Sequence, residues 1–201
     1  MDDRVVRYHR LHIALAEIEP LIWRRVDVPS HVNLEELHRI IQAAMGWLDY
    51  HLHSFEIGER RYQLPNDENI DLDDPPLDER DINLRELPKN TRFRYEYDFG
   101  DCWIHEILVE ETHESDYDQA LCSDGARACP PEDCGGVGGY QDLLQIISDP
   151  QHSEYEETLT WLGGFDPDAF RLQTVNSALV ALYREPPRTP RKRTSRKRLA
   201  P

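Results

Sequence analysis

The sequence predicts an α+β protein with a β-grasp-like mixed sheet, one crossing helix and a C-terminal helical cap. Three observations support this: two alternating segments at the start, one strongly amphipathic segment after them, and a last third with apolar residues at helical spacing. Runs of strands and then of helices are typical of this class. We expect one domain over residues 5–184, long enough to bury a full-sized core.

The first two strands are predicted in residues 10–18 and 22–29. In RLHIALAEI, three apolar residues alternate with polar ones, as in a half-buried strand: Leu11, Ile13 and Leu15. In IWRRVDVP, the row of Ile22, Arg24, Val26 and Val28 alternates with Trp23, Arg25 and Asp27. The short break at Pro20 predicts a hairpin.

The clearest helix is predicted over residues 34–45. Asn33 can cap it while Glu36 reaches back, which is a capping box, and Gly46 is placed to end it. Strand character then returns in residues 51–64, around a turn at Gly58 and Glu59, and in residues 92–100 and 102–112.

The last third predicts three helices. The first covers residues 140–150 and ends before Pro150. The second begins with Ser153 and Glu156 as a capping box, and the third begins with Asp166 as its cap and a proline in the first turn.

Composition favours a globular protein outside the membrane. Hydrophobic residues make up 39% and charged residues 31% of the chain, and no apolar run approaches the roughly 20 residues that span a bilayer. The first residues, MDDRVVRYHRLH, lack the apolar segment of a secretory signal. We therefore expect a cytoplasmic protein with no membrane partner.

Charge is divided unevenly along the chain. Residues 184–201 contain eight basic residues and one acid, a net +7, so the total of −16 leaves −23 on residues 1–183. A body this acidic repels nucleic acid. Any nucleic-acid binding is therefore expected in residues 185–201, whose basic, proline-containing sequence predicts disorder. A solvated surface explains the acidic body, and the alternative is a face that docks an unknown basic protein.

The stretch DFGD at residues 98–101 matches the metal-binding Asp-Phe-Gly of protein kinases. A kinase also needs a glycine-rich loop, a strand lysine and a catalytic-loop aspartate upstream, and no G-x-G-x-x-G is present. We instead expect Gly100 to break the chain between two strands, with Asp98 and Asp101 accepting hydrogen bonds from nearby amides.

Two short motifs carry histidines. In HLHSF, the H-x-H spacing on a strand places His51 and His53 on one face, where they can bind a metal ion. The alternative is a buried, hydrogen-bonded His53 beside a solvent-facing His51. The motif WIHE adds His105, which we expect to form a structural hydrogen bond next to Trp103.

Four cysteines define a second candidate metal site. In a cytosolic protein they should be reduced thiols, which can bind a structural zinc ion. The candidate ligands are Cys122, Cys129, Cys134 and Cys102, with His53 or His105 as alternatives to the last. The spacing C-x6-C-x4-C is looser than the paired C-x2-C of zinc ribbons, so a rigid loop without metal is the alternative.

The loop ACPPEDCGGVGGY covers residues 128–140. Its two prolines fix the backbone, and its glycines permit a turn into a helix at Tyr140. Glu132 and Asp133 either accept amide hydrogen bonds or act as general acid and base. No oxyanion donor or nucleophile is evident beside them, which favours the structural interpretation.

Five motifs occur in a fixed order along the chain: WRRVDVP, LHRIIQAAMGW, HLHSF, YDFGDCWIHEI and ACPPEDCGGVGGY. Together they resemble the plasmid pRiA4b ORF-3-like family, over about residues 8–183. Some members of that family are labelled TnpR-type passenger proteins of insertion sequences. The resemblance implies an α+β fold and no settled activity.

A resolvase activity, which the TnpR label suggests, is not supported by the residues. A serine recombinase needs a nucleophilic serine near its N-terminus, and the first serine here is Ser30. We expect a non-catalytic interaction or accessory module associated with mobile-element or nucleic-acid processes. The alternative is a metal-dependent hydrolase, whose candidate residues are His51, His53, His105, Asp98 and Asp101.

Overall fold

The computed structural model describes residues 5–65 and 75–184, so the predicted disordered tail, residues 185–201, lies outside the described residues. The strands are β1 (Val6–Leu15), β2 (Trp23–Pro29), β3 (His53–Ile57), β4 (Arg60–Gln63), β5 (Leu77–Asp78), β6 (Arg92–Tyr97), β7 (Trp103–Ser115) and β8 (Leu121–Ala126). The helices are α1 (Leu34–Met45), α2 (Gly136–Ser148), α3 (Tyr155–Leu162) and α4 (Leu172–Leu182). None of the helices in this part of the chain has the length and apolar character needed to cross a bilayer.

All eight strands belong to one sheet with the order β5-β4-β3-β6-β7-β1-β2-β8. Neighbouring strands are antiparallel, except that β4 and β5 are parallel. The predicted hairpin of β1 and β2 is confirmed, with Tyr8 opposite Pro29 and Ala14 opposite Trp23. This mixed sheet and its helices confirm the α+β class.

The two faces of the central strands differ in polarity, because side chains alternate along each strand. The core face of β6 and β7 carries side chains that are at most 3% exposed: Phe93, Tyr95, Tyr97, Trp103, His105, Ile107 and Val109. The opposite face carries ion pairs, such as Arg25–Glu110 at 2.7 Å and Arg94–Glu106 at 2.9 Å. Such surface pairs contribute little to stability, so the apolar face and its helices supply the core.

Helix α1 begins and ends where the sequence predicts. The Glu36 amide donates to Asn33 Oδ1 at 2.9 Å, and the Asn33 amide donates to the Glu36 carboxylate at 3.0 Å. This reciprocal pair is the predicted capping box. Gly46 follows with φ +101°, a conformation that favours glycine and ends the helix. The apolar stripe of α1 packs into the same core cluster as the sheet.

Helix α2 begins four residues earlier than the predicted start at Tyr140. Its first residue is Gly136, and Gly135 and Gly136 form the predicted glycine turn, with φ +91° and +67°. Glycine is also required at 136 by a contact with the turn after β6, because a Cβ there would lie 2.5 Å from the Asp101 carbonyl oxygen. The helix therefore starts within the glycine run, directly after this left-handed turn.

The starts of the last two helices also differ from the predictions. The predicted capping box of Ser153 and Glu156 is wrong, because the cap position of α3 is Glu154 and makes no side-chain cap bond. The last helix begins at Leu172. Asp166 instead accepts a hydrogen bond from the amide two residues later, which closes a turn ahead of that helix.

Candidate metal centre

Three loops meet at one end of the central strands. His51 lies just before β3, Asp98 directly after β6, and Asp133 in the loop before α2. His51 Nε2 lies 3.6 Å from Asp98 Oδ2 and 3.2 Å from Asp133 Oδ1, and the three ligand atoms lie within 4.8 Å of one another. Among residues 5–65 and 75–184, no other group of three His, Cys, Asp or Glu side chains converges in this way.

The turn after β6 fixes the position of Asp98. Its backbone has φ +56°, a left-handed conformation that aspartate adopts more readily than most residues. Asp98 Oδ1 accepts a hydrogen bond from the Gly100 amide at 3.0 Å, as the sequence predicts, while Oδ2 lies toward His51. The Asp98 amide donates to the Leu52 carbonyl oxygen at 2.9 Å. The turn is therefore tied to the segment that carries His51.

The loop before α2 is held on both sides of Asp133. The Trp47 indole N–H donates to the Pro130 carbonyl oxygen at 3.0 Å. The Gly135 amide donates to the Asp101 carboxylate at 3.1 Å. Asp133 itself has φ +56° and a side chain that is 70% exposed. Sparsely populated backbone conformations persist where the surroundings fix them, and they cluster at functional sites.

A third carboxylate, Glu132, lies at the edge of the cluster. Its Oε1 accepts hydrogen bonds from the Leu48 amide at 2.8 Å and from the Tyr97 hydroxyl at 3.1 Å. Its Oε2 lies 4.0 Å from His51 Nε2. Burial raises the pKa of Tyr97, and the neighbouring Glu132 carboxylate adds to this effect. The phenol therefore stays protonated and orients Glu132.

His51 Nε2 is the atom on which the cluster converges. It is shielded from solvent and forms no hydrogen bond with any described residue, although the side chain as a whole is 28% exposed. A shielded polar atom without a hydrogen bond is uncommon and calls for an explanation. A cation between this nitrogen and the two aspartate oxygens provides one.

The other two histidines named from the sequence lie elsewhere. His53 is buried, with Nε2 3.0 and 3.1 Å from the carboxylate oxygens of the fully buried Glu79. His105 is fully buried, with Nδ1 3.1 Å from the Trp103 carbonyl oxygen, as predicted. His51 and His53 therefore do not form a metal-binding pair, and the alternative of a hydrogen-bonded core His53 is confirmed.

None of the four thiols belongs to the converging group. Cys102 is exposed and bonds a carbonyl three residues earlier, while Cys122 is buried in β8 and bonds a carbonyl two residues later. Burial raises the pKa of Cys129 well above its ordinary value and that of Cys134 to about 12. These thiols are protonated in the metal-free protein, and the cysteine zinc site stays a prediction.

Sequence reasoning named two of the three converging residues for metal chemistry, His51 and Asp98. It assigned Asp133 to the loop or to acid–base chemistry. It also named Asp101 as a candidate hydrolase residue, but the Asp101 carboxylate accepts a hydrogen bond from the Gly135 amide. The signal for Asp133 was its place between two prolines and a glycine pair, which predicts a fixed turn. That this turn lies against His51 is a property of the folded chain.

The part of the chain that matches known proteins includes the three loops that carry His51, Asp98 and Asp133. The family model described as Plasmid pRiA4b ORF-3-like protein matches residues 7–174. The Uncharacterized protein y4hQ of Sinorhizobium fredii (strain NBRC 101917 / NGR234) is 37% identical over 191 residues, covering 92% of this chain and 97% of that protein. The crystal structure of MM3350, a protein of unknown function from Methanosarcina mazei Go1, has a TM-score of 0.77 and 34% identity, covering 84% of this chain and 97% of that one. The chain therefore belongs to the plasmid pRiA4b ORF-3-like protein family.

Proposed function

We propose that the protein binds one divalent metal ion between His51, Asp98 and Asp133 and uses it in a hydrolytic reaction. The observation that carries this proposal is the position of His51 Nε2. This nitrogen is shielded from solvent, lacks a hydrogen bond among the described residues, and faces two aspartate oxygens at 3.2 and 3.6 Å.

The donor set suits zinc or manganese. Imidazole nitrogen is a common zinc ligand, and carboxylate oxygens are common manganese ligands. Three protein ligands leave coordination positions for water and substrate, as in catalytic metal sites. The exposed side chain of Asp133 places the centre at the surface, where a substrate can reach it. A metal ion there would polarise a carbonyl or phosphoryl oxygen and lower the pKa of a bound water.

Glu132 and Tyr97 are the groups that the chain supplies beside the ion. Glu132 Oε2 lies 4.0 Å from His51 Nε2, within range to accept a proton from an attacking water. The Tyr97 hydroxyl accepts a hydrogen bond from the Tyr50 amide at 3.1 Å and donates to Glu132, which holds that carboxylate in place. In this proposal water attacks the substrate directly, without a covalent intermediate on the protein.

Removing one ligand should abolish tight metal binding. In Asp98→Asn, the side-chain oxygen can still accept from the Gly100 amide, while the oxygen nearest His51 becomes a neutral amide. We expect one ion per chain in the wild type. Binding should be at least roughly tenfold weaker in Asp98→Asn and in His51→Ala, because a three-ligand site loses a charged or aromatic donor. Calorimetric titration with zinc and manganese chlorides, on chelator-treated protein without a histidine tag, measures this.

Two further variants make the result specific. His31→Ala removes a histidine whose side chain is 60% exposed, and it should bind metal like the wild type. Cys129→Ser should also leave binding unchanged. If zinc is lost in Cys129→Ser and kept in Asp98→Asn, the ion belongs to the predicted cysteine site instead. Equal binding by wild type and Asp98→Asn contradicts the proposed centre.

Hydrolysis is measured separately from metal binding. Phosphoester and peptide substrates are incubated with the metal-loaded wild type and with Asp98→Asn. Turnover in the wild type that disappears in Asp98→Asn supports the hydrolase. One ion per chain without turnover on either class of substrate rejects the hydrolase and favours the second candidate.

The second candidate is a non-catalytic interaction or accessory module in mobile-element or nucleic-acid processes. One observation favours it: Leu48, Tyr50 and Leu52 are 59%, 69% and 49% exposed, in the segment around His51. Large apolar side chains exposed together mark protein contact sites. In this candidate a metal ion would stabilise the loops that carry the contact surface.

A further inference from the structure

A buried arginine occupies the core face of β2. Arg24 is 3% exposed and lies in one row with the buried residues Val26 and Val28. Arginine is almost never buried to this degree unless it is paired. Yet no carboxylate of the described residues forms an ion pair with Arg24, and the ionisable groups that act on it are the thiols of Cys129 and Cys122. Burial raises the pKa of both thiols, so they are neutral.

Backbone carbonyls accept hydrogen bonds from part of the Arg24 guanidinium. Nε donates to the Ala44 carbonyl oxygen at 2.9 Å, and Nη1 donates to those of Trp23 and Ala126 at 2.8 and 2.9 Å. The guanidinium carbon lies 4.9 Å from the centre of the Phe170 ring. Arginine has five N–H donors. The Nη2 group forms no hydrogen bond with the described part of the chain, and it is not among the solvent-shielded atoms without a partner, so it is open to solvent.

A cavity of about 410 Å³ lies against Arg24. This volume falls in the range of small-molecule sites, which are mostly apolar with a few placed polar groups. The walls include Met45, Trp47, Pro130, Trp161, Leu162 and Phe165. None of the three proposed metal ligands lines the cavity, although the neighbouring Glu132 does.

We propose that this cavity binds a small organic anion with a planar apolar body. Its carboxylate or phosphate group accepts hydrogen bonds from Arg24 Nη2, and its planar part packs against the aromatic walls. A guanidinium recognises both oxyanions through paired N–H donors. A buried charge without a counter-charge is unfavourable, and a bound anion supplies that counter-charge. Glu132 repels an anion, so the charged group lies at Arg24.

A purely structural role accounts for only part of this arrangement. Through its carbonyl contacts Arg24 joins the last turn of α1 to β2 and β8, and a cation is favourable at that helix end. These contacts use Nε and Nη1. They do not engage Nη2, which is open to solvent, and Arg24 also lines the aromatic cavity.

Three probes of the same shape test the proposal: benzoate, phenyl phosphate and neutral benzamide. They are titrated into the wild-type protein with a metal chelator present, so that the proposed metal centre cannot bind the anions. Tryptophan fluorescence and the NMR signal of the Arg24 Nε–H group report binding. We expect at least one anion to bind and to shift that signal, with benzamide roughly tenfold weaker or worse because it lacks the charge. The stronger of the two anions identifies carboxylate or phosphate as the preferred group.

Variants localise the bound anion. Arg24→Gln should weaken anion binding at least roughly tenfold, because it removes the charged donor. Trp161→Ala, at a side chain that is 55% exposed, should weaken binding without unfolding the protein. Asp98→Asn should bind the anions like the wild type, which separates this site from the metal centre. If Arg24→Gln does not fold, the Arg24 signal in the wild type and the binding by Trp161→Ala show whether the anion occupies this cavity. No anion binding at millimolar concentration, equal binding of benzamide, or an unshifted Arg24 signal overturns the proposal.

Discussion

Replacing Gly139 with alanine is expected to disrupt both the start of α2 and the proposed metal centre. A Cβ on Gly139 would lie 2.0 Å from the Cys134 carbonyl oxygen. That oxygen is a backbone atom, so it can move only if the loop that carries Asp133 moves too. We expect Gly139→Ala to lower the free energy of unfolding by about 3 kcal/mol or more. The melting temperature should fall by about 6–12 °C, and metal affinity should fall with it.

Gly138→Ala is the matched control. It changes the neighbouring glycine in the same helix, where an added Cβ meets no atom within 4 Å and the backbone φ is not positive. Alanine is the better helix former, so stability should stay unchanged or rise by up to about 1 kcal/mol. Urea unfolding of the three proteins, followed by zinc titration, measures both effects. If the two variants are equally stable, the contact between Gly139 and Cys134 does not constrain the loop.

His105 should make the protein less stable as the pH falls below neutrality. Burial lowers the pKa of this imidazole from 6.5 to about 4. Since the folded-state pKa is the lower one, the unfolded chain binds the extra proton between these two values. The stability contributed by neutral His105 is therefore complete above about pH 6.5 and declines as the pH falls toward 4. At pH 4.5 the loss should be on the order of 2–3 kcal/mol.

His105→Phe isolates this effect from the titration of carboxylates. Phenylalanine cannot be protonated, and it keeps an aromatic ring between Trp47 and Tyr95, whose ring centres each lie 5.2 Å from that of His105. Between pH 7.5 and 4.5, the variant should lose less unfolding free energy than the wild type, by on the order of 2–3 kcal/mol. His31→Ala, at an exposed histidine, should behave like the wild type. Parallel loss in His105→Phe and wild type would show that His105 titrates normally.

Features that depend on neighbours in the chain were predictable. The alternation in β1 and β2 follows from side chains pointing to opposite faces, and it placed Val26 and Arg24 in one row. Helix α1 was predictable at both ends, because the bonds between Asn33 and Glu36 span three residues and Gly46 supplies a left-handed stop.

Features that depend on packing between distant segments were predicted less well. The glycine run before Tyr140 has a low helix propensity, yet its last residues are helical, directly after Gly136 packs against the Asp101 backbone. The capping box proposed for Ser153 and Glu156 has the right spacing but is not formed. Local patterns name residues that can cap a helix, and the surrounding structure selects among them.

The sequence alone determined the residue types from which the proposed sites are built, through the motifs HLHSF, DFGD and CPPEDC and the arginine within an apolar row. Only the tertiary structure decided which of them meet. β3 pairs with β6, which places His51 beside Asp98. The packing of α2 against the turn that follows β6 places Asp133 beside both. The same packing separates His53 and His105 from the proposed metal centre and leaves Arg24 against a cavity. The physical reason is range. Side-chain alternation in strands and helix caps depend on residues a few positions apart, whereas strand order and backbone packing bring together residues that lie dozens of positions apart in the chain.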